Sequence, residues 1–161
     1  MKPATIKDIK SALSTLSHEE LTIICVKMAA FDKGNKELLT YLLFEADDQA
    51  MFIKNVKEEM DHQFAQASSN IYFAKKTYRK ILRIVNNYIR FSKTKTTEVE
   101  LLIYFCKCLS DSVGSVNHHP VISNMYERQL VKIEKALSTL HEDLQYDYGQ
   151  ALEELREAGN Q

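Results

Sequence analysis

Glycine and proline are scarce in this sequence, and their scarcity argues against several classes of protein. The chain of 161 residues holds four glycines and two prolines. Four scattered glycines cannot build a backbone loop that cradles phosphate, and the Gly-x-Gly-x-x-Gly, Walker and Gly-x-Ser-x-Gly motifs do not occur. The hairpin dipeptides Asn-Gly and Asp-Gly are also missing. These absences argue against the common nucleotide-dependent and hydrolytic enzymes, and they favour helices over strands.

Cysteine is also rare, and no long apolar run occurs. The three cysteines, Cys25, Cys106 and Cys108, lie in apolar stretches, and their odd number disfavours a disulfide framework. The N-terminal residues have no apolar core of the kind that a signal peptide needs. No stretch approaches the ~18 uninterrupted apolar residues of a membrane span. We therefore expect a soluble, cytoplasmic protein.

The net charge is small, which limits the class of protein further. It is −1, with 45% hydrophobic and 27% charged residues. This balance is ordinary for a globular protein and excludes both a long disordered chain and a globally basic nucleic-acid protein. A chain of this length is the size of one domain, so we predict a single domain over residues 1–161.

Apolar residues recur at helical spacing along the whole chain. Ser17 and Glu20 match a capping box at a helix start, and Gly34 suits the left-handed cap that ends the same helix. Pro120 is well placed to begin a last, long helix. The predicted fold is all-α, with six to seven helices in an irregular bundle or a short stack of helical hairpins.

One predicted helix, residues 36–44, is apolar nearly all round because it contains the run LLTYLLF. Such a helix is either buried on more than one side or in contact with another chain. The oligomeric state is open, and a dimer is compatible with this pattern.

Two segments echo each other. Residues 12–21 read ALSTLSHEEL and residues 136–144 read ALSTLHEDL. Helix-pair repeats produce such echoes, but the flanking residues do not follow and one gap is needed. We attribute the echo to chance.

Other candidates for chemistry do not assemble into a site. Glu59 and His62 form one Glu-x-x-His, whereas a di-iron bundle needs two. Cys106 and Cys108 are two positions apart and point away from each other on a helix. The histidines at 118–119 lie in a loop without further ligands at metal-binding spacing. We predict no catalytic residue, metal or cofactor, and we keep a metal site at Glu59 and His62 as a third alternative for function.

Residues 75–95 form a basic segment with eight Lys and Arg and no Asp or Glu. At ~100° per residue its apolar side chains gather on one side of a helix and predict a core face. The opposite side carries five cations, which we call the basic row, with Tyr72 and Asn87 beside it: Lys76, Arg79, Lys80, Arg83 and Arg90. These seven side chains are the predicted binding residues.

The basic row has three interpretations. Cations beside amides and an aromatic ring can bind the phosphates and unpaired bases of RNA or DNA. They can also bind an acidic protein surface. Third, they can pair inside the protein, because residues 37–61 hold seven acids against two lysines and residues 127–157 hold eight acids against four bases. Because the net charge is near zero, we expect acidic side chains to cover part of the row.

The start of the chain resembles a known group of proteins. The run LSHEEL at residues 16–21, followed by KELL at 36–39 and Asp47-Asp48, resembles the opening of a group of small all-helical bacterial proteins of unknown function. The resemblance covers about the first third of the chain. It implies a bacterial, cytoplasmic, all-α protein and carries no activity.

The resulting hypothesis is a non-enzymatic binding or adaptor protein that uses an exposed helix face. Its expected partner is an acidic protein surface, and no membrane contact is predicted. The alternative is RNA or DNA binding through the basic helix at residues 75–95.

Overall fold

The structure is a computed structural model that describes residues 2–159, and within this range it holds eight α-helices, one short 3-10 helix and no strand. The all-α prediction is confirmed, with one helix more than the predicted upper count. The α-helices are α1 (Ile6–Leu13), α2 (His18–Phe31), α3 (Lys33–Phe44), α4 (Gln49–Ala65), α5 (Ile71–Ser92), α6 (Lys95–Val113), α7 (Pro120–Leu137) and α8 (Glu142–Gly159), and the 3-10 helix is Val116–His118.

The contacts divide the chain into two units, Met1–Phe44 and Glu45–Gln161. In the first unit α2 packs against α3 as a helical hairpin. The predicted capping box is present, because the Ser17 amide donates to Glu20 Oε2 at 2.8 Å and the Glu20 amide donates to the Ser17 hydroxyl at 3.3 Å. These bonds from Ser17 lower the pKa of the Glu20 carboxyl. The single-domain statement for residues 1–161 stays a prediction.

Gly34 does not end α2, so that prediction is wrong. The residue lies in the first turn of α3, and its amide donates to Asp32 Oδ1 at 2.8 Å. Asp32 itself ends α2 in an extended conformation. A carboxylate that accepts from the amide two residues later starts the new helix directly, so no left-handed residue is needed.

In the second unit α6 is the central helix, and its sequence is apolar around a narrow polar stripe of Glu100, Lys107 and Asp111, a pattern typical of a helix buried on most sides. It contacts α4, α5, α7 and α8. Its buried residues form the middle of the core together with side chains of α4, α5 and α7. Tyr126 of α7 is fully buried, and its hydroxyl donates to the Leu155 carbonyl of α8 at 2.7 Å. The core of this unit therefore positions one face of each surrounding helix inward and leaves the other face exposed.

The two similar segments, residues 12–21 and 136–144, form the same local structure, and the attribution of their similarity to chance stays a prediction. In each copy a serine, Ser14 or Ser138, ends a helix with nearly the same backbone angles. The next residue, Thr15 or Thr139, donates its hydroxyl to the carbonyl three residues earlier, at 2.8 and 2.7 Å. The second copy separates α7 from α8, which sequence analysis had taken as one helix from Pro120.

Candidate functional site

The basic row lies on α5, which has well-defined ends. Asn70 caps its start, with Oδ1 accepting from the Tyr72 amide at 2.9 Å. Lys93 ends it in the left-handed conformation, with φ of 57°. The predicted core face is confirmed by four buried residues at helical spacing, Ala74, Tyr78, Ile81 and Val85. Burial of this face orients the opposite face toward solvent.

All five cations of the basic row are exposed. None of them forms an ion pair with any residue in the range 2–159. Four of them, together with Thr77, line one surface concavity: Lys76, Arg79, Lys80 and Arg83. The expectation that acidic side chains cover part of the row is therefore wrong.

Several of the acids that were expected to cover the row pair elsewhere. Glu134 of α7 lies 3.0 Å from Arg156 of α8, and Glu153 pairs with the same guanidinium. On α4, Glu58 lies 3.9 Å from Lys54, which is on its own helix. Each of these acids pairs with a cation outside α5.

The two other predicted binding residues have different environments. Tyr72 is 74% exposed, and its ring stands perpendicular to that of Phe73 with centroids 5.3 Å apart. Asn87 is half-buried. Its neighbour Asn86 has both amide atoms engaged, because Nδ2 donates to the Leu82 carbonyl and Oδ1 accepts from Lys132. Tyr72 is thus available to a ligand at one end of the row, whereas Asn86 is not.

A second cluster of polar side chains, which sequence analysis did not identify as a site, lies in a groove of about 470 Å³ lined by α4, α6 and α8. Lys57 Nζ lies 3.1 Å from Glu100 Oε2, and the Tyr148 hydroxyl donates to Glu100 Oε1 at 2.7 Å. The Tyr104 hydroxyl donates to both oxygens of Asp61, at 2.8 and 2.9 Å. The polar stripe on α6 was the available signal, because its members Glu100, Lys107 and Asp111 all line this groove.

The polar side chains of this groove form a hydrogen-bond network with a structural role. Burial, followed by the hydrogen bonds to Asp61 and Glu100, raises the pKa of Tyr104 and of Tyr148, so both phenols stay protonated. Burial and the charge of Asp61 raise the pKa of Cys108 to about 11, which keeps its thiol neutral at pH 7. These polar groups form hydrogen bonds with one another and so link α4, α6 and α8.

The remaining candidate metal ligands and catalytic residues do not gather into one site. Glu59 and His62 are exposed, and each pairs with a glutamine four residues later on α4. His118 lies in the 3-10 helix before α7. Over the described part of the chain, no three His, Cys, Asp or Glu side chains gather in a way that could hold a metal ion. Cys106 is buried in the core, and this burial raises the pKa of its thiol.

No protein-family model, curated protein or solved structure matches the chain. The resemblance of the first third to small helical bacterial proteins therefore stays a prediction. Within residues 2–159, no helix is long and apolar enough to cross a membrane.

Proposed function

We propose that the protein is a non-enzymatic adaptor that binds an acidic helical surface of a partner protein through the basic row of α5. The observation that carries this proposal is the exposure of all five cations without an ion pair in the described range. The cysteines are free thiols, as is typical of a reducing compartment, so we place this binding in the cytoplasm.

Repulsion within the row supports a role in binding. Lys76 and Lys80, and likewise Arg79 and Arg83, are like charges four positions apart on one helix. Each such pair destabilises a helix by about 0.2–0.5 kcal/mol. A bound surface of negative charge removes this repulsion, so α5 and its partner stabilise each other.

The width of the row favours a protein helix as the partner. Side chains three or four positions apart on a helix have Cβ atoms about 5–6 Å apart, so carboxylates at the same spacing on a partner helix match the row. A long polyanion, in contrast, extends beyond the basic row and meets the rest of the molecule, whose overall net charge is −1 and offers it no further attraction. A short acidic helix therefore matches the extent of the row better than a long phosphate backbone does.

Single-stranded nucleic acid is the second candidate, and one observation favours it. Tyr72 and Phe73 are 74% and 61% exposed at the start of α5. Exposed aromatic rings beside cations are where unpaired bases stack, at about 1–3 kcal/mol per base. In this case the strand would follow the basic row and place bases on Tyr72.

Affinity capture with a charge-reversal variant tests both candidates. The tagged protein is incubated with lysate of the cell that produces it, with and without nuclease. We expect a captured protein that resists nuclease and is lost with Arg79→Glu/Arg83→Glu. The matched control is Arg128→Glu/Lys135→Glu, which reverses two exposed cations of α7 that form no ion pair within residues 2–159 and should retain the captured protein.

Direct titration separates the two classes of partner. A labelled single-stranded oligonucleotide is titrated by fluorescence anisotropy at several salt concentrations. Binding that weakens with salt, with Arg79→Glu/Arg83→Glu and with Tyr72→Ala would select nucleic acid. Capture that is equal for both double variants, together with no oligonucleotide binding at low salt, would exclude both candidates.

A further inference from the structure

The groove lined by α4, α6 and α8 has an apolar floor beyond its hydrogen-bond network. Its volume of about 470 Å³ lies within the range of roughly 300–1,000 Å³ that is typical of small-molecule pockets. The short side chains of Ala151 and Ala158 leave this space open, and Ile103 and Leu155 supply larger apolar surfaces. An apolar cleft with a few polar groups is the usual form of a site for a small ligand.

The two long walls of the groove, α6 and α8, run in the same direction. At one end of the groove the Tyr148 hydroxyl donates to Glu100 Oε1. Burial, followed by nearby charges that include Asp111 in the last turn of α6, raises the pKa of Tyr126. The ring of the same tyrosine lies against Gly159, the last residue of α8. The C-terminal ends of both helices therefore lie at the other end of the groove, where their last carbonyls leave partial negative charge.

The charged side chains of the groove favour a cationic ligand. Lys57 is neutralised by Glu100, because its ammonium lies 3.1 Å from Glu100 Oε2. The other charged lining residues, Lys107, Asp111 and Glu154, are exposed and form no ion pair within residues 2–159. These three side chains sum to one negative charge, and the C-terminal ends of α6 and α8 add to it. An anion would meet two carboxylates against one ammonium.

We propose that this groove is a binding site for a small organic amine with an apolar body. The ammonium group of the ligand is attracted to Asp111 and Glu154, which belong to opposite walls. Its apolar body lies along Ile103, Ala151 and Leu155, so the ligand loses apolar surface to the groove as it binds. No residue of α5 lines the groove, so this site is independent of the adaptor function proposed for the basic row.

Three probes that share one alkyl chain and differ in charge test the ligand class. Octylamine, octanol and octanoate are cationic, neutral and anionic at neutral pH. Each is titrated into the full-length, 15N-labelled protein, and amide chemical shifts are followed by NMR. We expect octylamine to shift the amides of α6 and α8 along the groove in a saturable way, with a Kd below about 1 mM. Its affinity should exceed that of octanoate by about 10-fold or more, with octanol between them.

Charge variants test the residues that attract the ammonium group. Asp111→Asn/Glu154→Gln should weaken octylamine binding by about 10-fold, and Lys107→Gln should strengthen it by about 3-fold because a like charge is removed. The matched control is Glu127→Gln/Glu142→Gln, which neutralises two exposed acids outside the groove lining and should retain the affinity. Octanol should bind all of these variants equally, since the substitutions leave the apolar floor unchanged.

Four results would overturn the proposal. Octanoate that binds as tightly as octylamine would show that the groove does not select a cation, and so would equal octylamine affinity in all of the charge variants. Shifts confined to the exposed apolar side chains of α2 and α3 would place the binding outside the groove. An octylamine titration without a saturable shift up to about 10 mM, well above the expected Kd, would show that the groove holds no amine.

Discussion

At the scale of single residues, Gln129 is a buried polar side chain whose hydrogen bonding is incomplete. It is 4% exposed on α7, and Nε2 donates to the Met125 carbonyl at 2.9 Å. Within the described range Oε1 has no hydrogen-bond partner. A buried polar atom without a partner costs about 1–3 kcal/mol. Gln129 therefore lowers the stability of the core to which it belongs.

Replacing Gln129 with an apolar residue of similar shape should stabilise the protein. Gln129→Met removes the unpaired oxygen and keeps an unbranched side chain that can follow the same path. We expect the free energy of unfolding to rise by about 1 kcal/mol, measured by denaturant titration. Gln150→Met, at an exposed position of α8, is the control and should change stability by less than about 0.5 kcal/mol. A decrease at position 129 would show that Oε1 has a partner in solution.

At the scale of secondary-structure elements, the break between α7 and α8 shows where periodicity misleads. The apolar spacing of Tyr126, Leu130, Ile133, Leu137, Leu140 and Leu144 continues through the break. Because no glycine or proline interrupts it, the pattern predicts one helix. The helix ends instead where Ser138 and Thr139 donate their hydroxyls to the carbonyls of Lys135 and Ala136. Such local bonds compete with the helix and are invisible to a pattern of apolar residues.

Removal of these hydroxyls should weaken the end of α7. Ser138→Ala/Thr139→Ala deletes both hydrogen bonds and should lower the free energy of unfolding by about 0.5–1 kcal/mol. Ser14→Ala/Thr15→Ala deletes the equivalent bonds at the end of α1. Because α1 has no buried residue, global unfolding should not change in this second variant. If neither variant changes the denaturation midpoint, packing of the flanking leucines rather than the hydroxyls ends α7.

The basic row on α5 shows which part of a candidate site local sequence can predict. The spacing of the buried residues Ala74, Tyr78, Ile81 and Val85 fixes the direction of the opposite face, so the existence of the row was predictable. Whether acids cover it depends on pairs such as Glu134 with Arg156, which are 22 positions apart in the chain and meet only in the folded unit. The groove beside α6 was missed for the same reason, because Lys57, Glu100 and Tyr148 come from three helices.

At the scale of the whole molecule, the two units differ in how many apolar side chains they bury. Seven residues of α6 are buried, including Leu101, Leu102 and Phe105 at 0% exposure. In contrast, neither α1 nor α2 contains a buried residue. Hydrophobic burial is the main source of folding free energy, so the unit Glu45–Gln161 has a core that the unit Met1–Phe44 lacks. The first unit gains a comparable core only when another surface covers its apolar side chains.

Hydrogen exchange should show this difference directly. In dilute protein, amides of α1 and α2 should exchange more than about 100-fold faster than those of α6, because they open with little loss of buried area. Equal protection of α2 and α6 in dilute protein would contradict this expectation, because it would mean that the hairpin is stable without its apolar face being covered.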